Sequence, residues 1–303
     1  MELVINTKGA YVKKVDDRFM VSVDGVKQEI SCKKVEKILI TTSATLTTDA
    51  IKLAMENNID IIFLEYSGRP FARVWHSKLG SITTIRRNQL KLTEIALGTE
   101  LVKEWITQKL DNQISHLKKL KLNRSDEKAQ LIDGVVEKIE LYKKEIHLIE
   151  NIPINNIRGT IGGYEGVCAK MYFETLGKLI ADKYSFNGRS KNPANDPFNC
   201  MINYAYGILY SNVESSCIIA GLDPYIGIMH TDNYNKTALV FDIIEMYRGY
   251  MDEIVFGLFS KRKIKQDMFD NLEGGGCWLN KTGKEVLIEA VNIRFQEKIK
   301  YKV

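Results

Sequence analysis

The strongest constraint on the fold of this 303-residue chain is a change of sequence pattern near residue 80. Before that point, short segments rich in β-branched and aromatic residues alternate with turn signals such as Asp16-Asp17 and Asp24-Gly25, which predicts β-strands. One segment, TTDAIKLAMENNI, begins at a threonine cap and has apolar residues at helical spacing, so it predicts a helix. The predicted strands are ELVIN, AYVKKV, RFMVSVD, KQEIS, EKILITT, DIIFLEY and FARVWHS.

After residue 85 the apolar residues follow the 3.6-residue spacing of amphipathic helices. The stretch KLGSITTI between the two patterns contains Gly and Ser without a clear period, which is typical of a linker. We therefore predict an α+β protein with a small, mostly antiparallel β domain and one helix at residues 1–77, a linker at 78–85, and an all-α domain at 86–303. The strands are too few and too short to bury both faces of the β domain, so we expect a C₂-related homodimer.

Composition limits the class of protein but does not identify its partner. A hydrophobic fraction of 45% and a charged fraction of 27% are typical of globular proteins. The net charge of +5 permits an anionic partner. We see no signal peptide and no apolar run of membrane-spanning length. Five scattered cysteines without a CxxC pair predict reduced, buried thiols, so we expect a cytoplasmic protein without a structural zinc site.

Glycines surround an acidic residue early in one of the later predicted helices. In IGGYEGVCAK, Glu165 lies between Gly163 and Gly166. A helix dipole favours an ionised carboxylate near its N-terminus, and glycines let another backbone or a ligand approach closely. The alternative is an ordinary acid in the first turn of a helix.

A histidine in a polar turn precedes a helix with closely spaced acids. His230 is followed by Asp242 and Glu245, with Asp252 on the same helical face and no lysine among these acids. Carboxylates one turn apart repel each other unless a cation or a proton lies between them. Together with Glu165, they offer oxygen and nitrogen ligands suited to Mn²⁺ or Mg²⁺. The sequence leaves open whether these groups converge.

Two kinds of polar residue are candidates for DNA contact. The helix that starts at Asp196-Pro197 carries a polar stripe, and its amides suit phosphate contacts or a polar neighbour within the protein. Basic residues suit a polyanion, or form an ordinary solvated surface. The candidates are Arg86, Arg87, Arg189, Lys191, Asn199, Asn203, Lys261, Arg262 and Lys263.

Four blocks of the C-terminal half resemble, in order and separation, those of the CRISPR-associated adaptation integrase family. They are GGYEGVCAKMYF, NGRSKNPANDPFNCMINYAYGILY, AGLDPYIGIMH and LVFDIIEMYR. The resemblance implies that Glu165, His230 and Glu245 bind a divalent metal, with Asp242 close to it. It also implies an integrase that joins the 3′-hydroxyl ends of short DNA fragments to the CRISPR array by direct transesterification. Water in place of the hydroxyl would make the same site a nuclease.

The resemblance further implies which partners the protein has. These are DNA, bound largely without sequence preference, and a small ferredoxin-like CRISPR adaptation protein that bridges two homodimers; no membrane is expected. Two other functions remain open from the sequence. One is a non-catalytic DNA-binding scaffold, and the other is a hydrolytic metalloenzyme that acts on small phosphate esters.

Overall fold

The computed structural model describes residues 1–65, 70–74, 83–122, 124, 127–190, 194–231, 233–234, 236–271 and 275–297. The chain divides into two compact units, Met1–Leu79 and Gly80–Val303. Residues 78–82 of the predicted linker and Lys191 lie outside the described residues. Residues 83–85 of that linker instead begin a helix, so the helical part starts earlier than predicted.

The N-terminal unit contains two four-stranded sheets and one helix among its described residues, which together with the helical remainder confirms the α+β class. Its strands run in the orders β1-β5-β7-β8 and β4-β3-β2-β6. The elements are β1 (Glu2–Ile5), β2 (Ala10–Val15), β3 (Arg18–Val23), β4 (Val26–Ser31), β5 (Lys37–Ile40), β6 (Ala44–Leu46), α1 (Thr48–Glu56), β7 (Asp60–Leu64) and β8 (Pro70–Val74).

The strand pairing is less antiparallel than the sequence predicts. Both turn signals form hairpins, in which Asp16 and Asp24 have positive φ angles of 52° and 48°. Strands β7 and β8 are also antiparallel, but β1–β5, β5–β7 and β2–β6 are parallel. Turn residues predict only hairpins between consecutive strands. A parallel partner is reached through a longer crossover, which has no short sequence signal.

The C-terminal unit is helical apart from one short two-stranded ladder. The helices are α2 (Thr83–Lys91), α3 (Ala96–Lys121), α4 (Glu127–Leu148), α5 (Arg158–Leu179), α6 (Pro197–Ile219), α7 (Ala238–Ser260) and α8 (Lys281–Gln296). The antiparallel ladder of β9 (Phe269–Asn271) and β10 (Cys277–Leu279) departs from the predicted all-α domain. Helix α6 begins where the sequence predicts, because the Asp196 side chain caps it by accepting from the Asn199 amide.

One apolar core joins the long helices of this unit and fixes their relative positions. Helix α7 packs against both α3 and α6, and buried side chains of α3, α5, α6 and α7 belong to a single cluster. All five cysteines are free and buried, as expected. Within the described part of the chain, no helix has both the length and the apolar character needed to cross a bilayer.

We expect replacement of Leu117 in α3 by alanine to lower the free energy of unfolding by about 2–5 kcal/mol, because it leaves a cavity in this core. The Leu117 side chain is 0% exposed, whereas Leu122, just after the same helix, is 83% exposed. Leu122→Ala should therefore stay within about 0.5 kcal/mol of wild type. Urea unfolding of both variants measures the difference, and equal losses would contradict the assigned core.

Candidate active site

A buried carboxylate holds the histidine-containing loop against the start of α7. The side chain of Asp242, in the second turn of that helix, is 0% exposed. Its Oδ2 accepts the backbone amides of Ile228 and Met229 at 2.6 and 3.0 Å, and its Oδ1 accepts that of His230 at 2.8 Å. These hydrogen bonds fix the loop against α7.

The same carboxylate also orients the His230 ring. The Nδ1 atom of His230 lies 2.7 Å from Asp242 Oδ1, and the ring packs beside Phe241 with 5.7 Å between the centroids. With Nδ1 engaged, Nε2 is the nitrogen left for a ligand. A carboxylate behind a histidine in this way is the usual support of a metal-binding imidazole. The side chain is 46% exposed, so a ligand can reach it.

Two further side chains hold the loop before His230. Gln89 of α2 is buried and donates to the carbonyls of Asp223 and Ile226 at 2.7 and 2.9 Å, while its Oε1 accepts the Asp223 amide at 3.0 Å. Arg158 donates to the carbonyl of Ile228 at 3.0 Å. Sequence reasoning missed both residues, because a polar side chain that binds a distant backbone leaves no periodic signal.

The two candidate glutamate ligands meet at a lysine that the sequence prediction did not include. Glu165 of α5 accepts a hydrogen bond from the Lys109 ammonium of α3, and Glu245 Oε2 of α7 lies 2.5 Å from the same nitrogen. Arg248 contacts the other oxygen of Glu245 at 3.1 Å. Three helices thus bring two carboxylates and two cations together.

The spacing of Lys109 in the sequence already indicates that its side chain is buried. It follows Ile106 by three residues and precedes Gln113 by four, so it falls on the buried stripe of α3. Lysine is almost never fully buried unless it is paired. A lysine in the buried stripe of a helix therefore indicates a buried anion nearby.

The electrostatics favour the charged forms of Glu245 and Lys109. Burial opposes the charged form of Glu245, but Arg248 and Lys109 outweigh it, with a smaller contribution from His230, and hold the pKa of the carboxyl at about 2. Burial likewise opposes the charged Lys109, but Glu245 and Glu165 raise its pKa above the ordinary value. The arrangement is therefore two carboxylates balanced by two cations.

The donor types suit a divalent cation, although in the described residues no three His, Cys, Asp or Glu side chains are arranged to hold one. Two carboxylates from different helices already converge on a positive charge. Glu245 Oε2 touches Lys109 without a hydrogen bond of good geometry, so this buried oxygen retains ligand capacity. Carboxylate oxygens and an imidazole nitrogen suit Mn²⁺ or Mg²⁺. The assignment of Glu165, His230 and Glu245 as metal ligands stays a prediction.

The glycines around Glu165 leave space on one side and permit close packing on the other. A β-carbon at Gly163 or Gly166 would meet nothing within 4 Å, so the helix face that these two glycines share is open. At Gly162 it would lie 3.2 Å from the end of the Met229 side chain, which belongs to the histidine loop. Because Gly162 precedes Glu165 by three residues, it lies on the same helical face and lets the histidine loop pack closely there.

The third acid of the α7 face, Asp252, belongs to a different polar cluster. Asp252 accepts a hydrogen bond from the Tyr206 hydroxyl at 2.5 Å. The guanidinium groups of Arg189 and Arg248 lie over the Tyr206 ring, 5.4 and 4.8 Å from its centroid. Burial raises the pKa of Asp252 to about 6, against the opposing effect of the Tyr206 hydrogen bond and the two arginines.

Part of the predicted DNA surface makes hydrogen bonds within the protein. Asn199 is 1% exposed, and its amide donates to the Gly188 carbonyl and to Asp196 Oδ2, so it has no access to a phosphate. Arg189 donates to the side-chain oxygens of Asn199 and Asn203, and the Asn203 amide donates to the Ser190 carbonyl, so these groups are engaged within the protein. The polar stripe of α6 therefore faces a polar loop of the protein, which was the alternative interpretation.

The remaining basic candidates lie at the surface. Arg87 of α2 is exposed and Arg86 is half-buried. The exposed run after α7 comprises Lys261, Arg262 and Lys263. Their contact with DNA stays a prediction.

We expect Gly227→Ala to displace the histidine loop. A β-carbon there would lie 2.5 Å from both the Ala238 side chain and the His230 carbonyl oxygen, which forces one backbone away from the other. The free energy of unfolding should fall by about 1–3 kcal/mol, as is usual for overpacking. Gly134→Ala in α4 is the control, since its β-carbon meets nothing within 4 Å and alanine favours a helix by about 1 kcal/mol. Chemical denaturation that showed no loss at Gly227 would contradict the packing.

We expect the ionisation of Asp252 to weaken the folded protein as pH rises. Its pKa is raised from 3.8 to about 6, so unfolding releases a proton between these values and the folded state loses stability through that window. As the pH rises from about 4 to about 7, the free energy of unfolding of Asp252→Asn should therefore increase by roughly 2–3 kcal/mol relative to that of wild type. Urea unfolding at both pH values measures this gain. The control is Glu253→Gln, at a carboxylate paired with Lys119 on the surface, and an equal gain there would contradict the assignment.

Comparison with known proteins agrees with this architecture. The family model described as CRISPR associated protein Cas1 matches residues 3–292. The CRISPR-associated endonuclease Cas1 1 of Archaeoglobus fulgidus is 29% identical, over 100% of this chain and 90% of that protein. A Cas1 protein from Thermotoga maritima has a similar fold, with a TM-score of 0.80, 19% identity, and coverage of 96% of this chain and 88% of the other. A casposase bound to integration product has a TM-score of 0.79 at 20% identity, over 99% of this chain and 84% of the other. The chain therefore belongs to the Cas1 family of CRISPR-associated proteins.

Proposed function

We propose that this protein is a metal-dependent DNA endonuclease and integrase of CRISPR adaptation, which joins the 3′-hydroxyl ends of short DNA fragments to the CRISPR array by direct transesterification. The observation that carries the proposal is the convergence of Glu165 and Glu245 on one cation. Similar proteins support it, since the A. fulgidus protein is named an endonuclease and the casposase is bound to an integration product.

Glu165, Glu245 and Nε2 of His230 would hold a Mn²⁺ or Mg²⁺ ion in this site. When bound, such an ion supplies Lewis-acid stabilisation of negative charge on the phosphate oxygens. Asp242 positions the imidazole and keeps its Nδ1 engaged, so that His230 acts as a ligand and not as a general base. The attacking group is the 3′-hydroxyl of the incoming DNA, so the reaction needs no nucleophile from the protein.

Phosphate contacts would supply most of the DNA affinity, since inserted fragments differ in sequence. Arg87 and the basic run Lys261, Arg262 and Lys263 remain exposed for this role. The proposed assembly is a homodimer, with a small ferredoxin-like adaptation protein bridging two dimers. A chain of similar fold in a Cas6-RT-Cas1–Cas2 complex supports a partner of this kind.

We expect Glu165→Gln, His230→Ala and Glu245→Gln each to reduce Mn²⁺-dependent joining by at least about 100-fold, because each removes a ligand. Asp242→Asn should cost about 10–100-fold, the usual loss for a residue that supports a ligand. Duplex affinity without a divalent metal should stay within a few-fold of wild type in all four, since the basic surface is unchanged. Joining of a labelled branched DNA with Mn²⁺, and fluorescence anisotropy of the same DNA in EDTA, measure the two properties.

The matched control is Glu253→Gln, which makes the same change on the outer surface of α7 and should retain full joining. Full joining by one of the ligand variants would refute the role of that residue. A wild-type protein that binds DNA but never joins it with Mn²⁺ or Mg²⁺ would instead indicate the non-catalytic scaffold.

A further inference from the structure

Lys109 occupies the space in which the proposed metal site would form. Its ammonium contacts Glu165 and Glu245 together, and only 8% of its side chain is exposed. No other lysine in the described ion pairs bridges carboxylates from two different helices at such depth. The contact is therefore part of the buried site and not an incidental ion pair at the surface.

The charges of the cluster cancel when no metal is present. Glu165 and Glu245 carry two negative charges, and Lys109 and Arg248 carry two positive ones. A divalent cation bound to the same carboxylates would lie beside the ammonium, and like charges at such short range repel strongly in a poorly solvated site. One of the two cations must then move.

Lys109 is the cation free to move. A lysine has a flexible four-carbon stem and a point charge, whereas an arginine is planar and more rigidly placed. Arg248 also lies over the Tyr206 ring, 4.8 Å from its centroid, and this contact holds it in position. The Glu165 side chain is 25% exposed, so an anion can approach the cluster from that side.

We propose that Lys109 is a built-in counter-ion that blocks the metal site in the absence of DNA and leaves it for a DNA phosphate when metal binds. This inference rests on the proposed function. An ammonium displaced from two carboxylates needs another anion, because a buried unpaired charge is costly. A phosphate at the exposed side of Glu165 supplies it. Metal and DNA therefore favour each other's binding, and thermodynamic linkage makes that effect reciprocal.

Lys109→Met tests the proposal, because methionine keeps much of the length of the side chain and removes its charge. Mn²⁺ affinity of the DNA-free protein, measured by electron paramagnetic resonance of free Mn²⁺, should increase by about tenfold or more, within the usual range of coupling between sites. Mn²⁺ should raise the DNA affinity of wild type by a similar factor in fluorescence anisotropy. Mn²⁺ should raise the DNA affinity of Lys109→Met only slightly.

Lys119→Met is the matched control, since it makes the same change on α3 at a lysine paired with one surface carboxylate. It should behave like wild type in both titrations. Thermal unfolding in EDTA should show a lower midpoint for Lys109→Met, which Mn²⁺ restores, because the glutamates repel each other without a cation. If Lys109→Met does not fold in EDTA, Lys109→Gln, whose amide still donates a hydrogen bond, is titrated instead with the same expected changes.

The outcomes separate this inference from the proposed function. Unchanged or weaker Mn²⁺ binding in the lysine variant, or an equal effect of Mn²⁺ on DNA affinity in variant and wild type, would overturn the counter-ion role. If wild type binds Mn²⁺ no better than Glu165→Gln in the presence of DNA, the proposed metal site itself fails.

Discussion

The site depends on the buried carboxylate of Asp242. One side chain accepts three consecutive backbone amides of the loop and contacts the His230 ring as well. Each buried amide left without a partner would cost about 1–3 kcal/mol, so the loop has one favourable position on α7. Backbone hydrogen bonds therefore fix the position of the histidine, while Gln89 and Arg158 hold the rest of the loop from α2 and α5.

The second physical constraint is the balance of charge between three helices. Helix α7 brings Glu245 and Arg248, α5 brings Glu165, and α3 brings Lys109. Burying this many charges is unfavourable unless each has a partner, and the apolar core shared by α3, α5 and α7 keeps the partners in place. Stability and candidate chemistry are thus coupled, because the packing that orders the core also forces the carboxylates together.

The proposed metal ion and Lys109 have the same electrostatic role, which is to place positive charge between Glu165 and Glu245. Two glutamates facing each other need positive charge between them, and the structure supplies it from the protein itself. A divalent metal must therefore compete with the ammonium of Lys109 for the two carboxylates.

The sequence by itself determined the features that depend on neighbouring residues. Short strands with turn signals, the Asp196 cap of α6, and the acid pair one turn apart on α7 all follow from local spacing. It also determined the resemblance to the family, because that resemblance depends only on the types and order of the residues. Only the tertiary structure decided which strands pair in parallel, that Asn199 is buried inside the protein, and that Lys109 lies between Glu165 and Glu245. These features depend on contacts between residues far apart in the chain, which packing selects and local sequence does not encode.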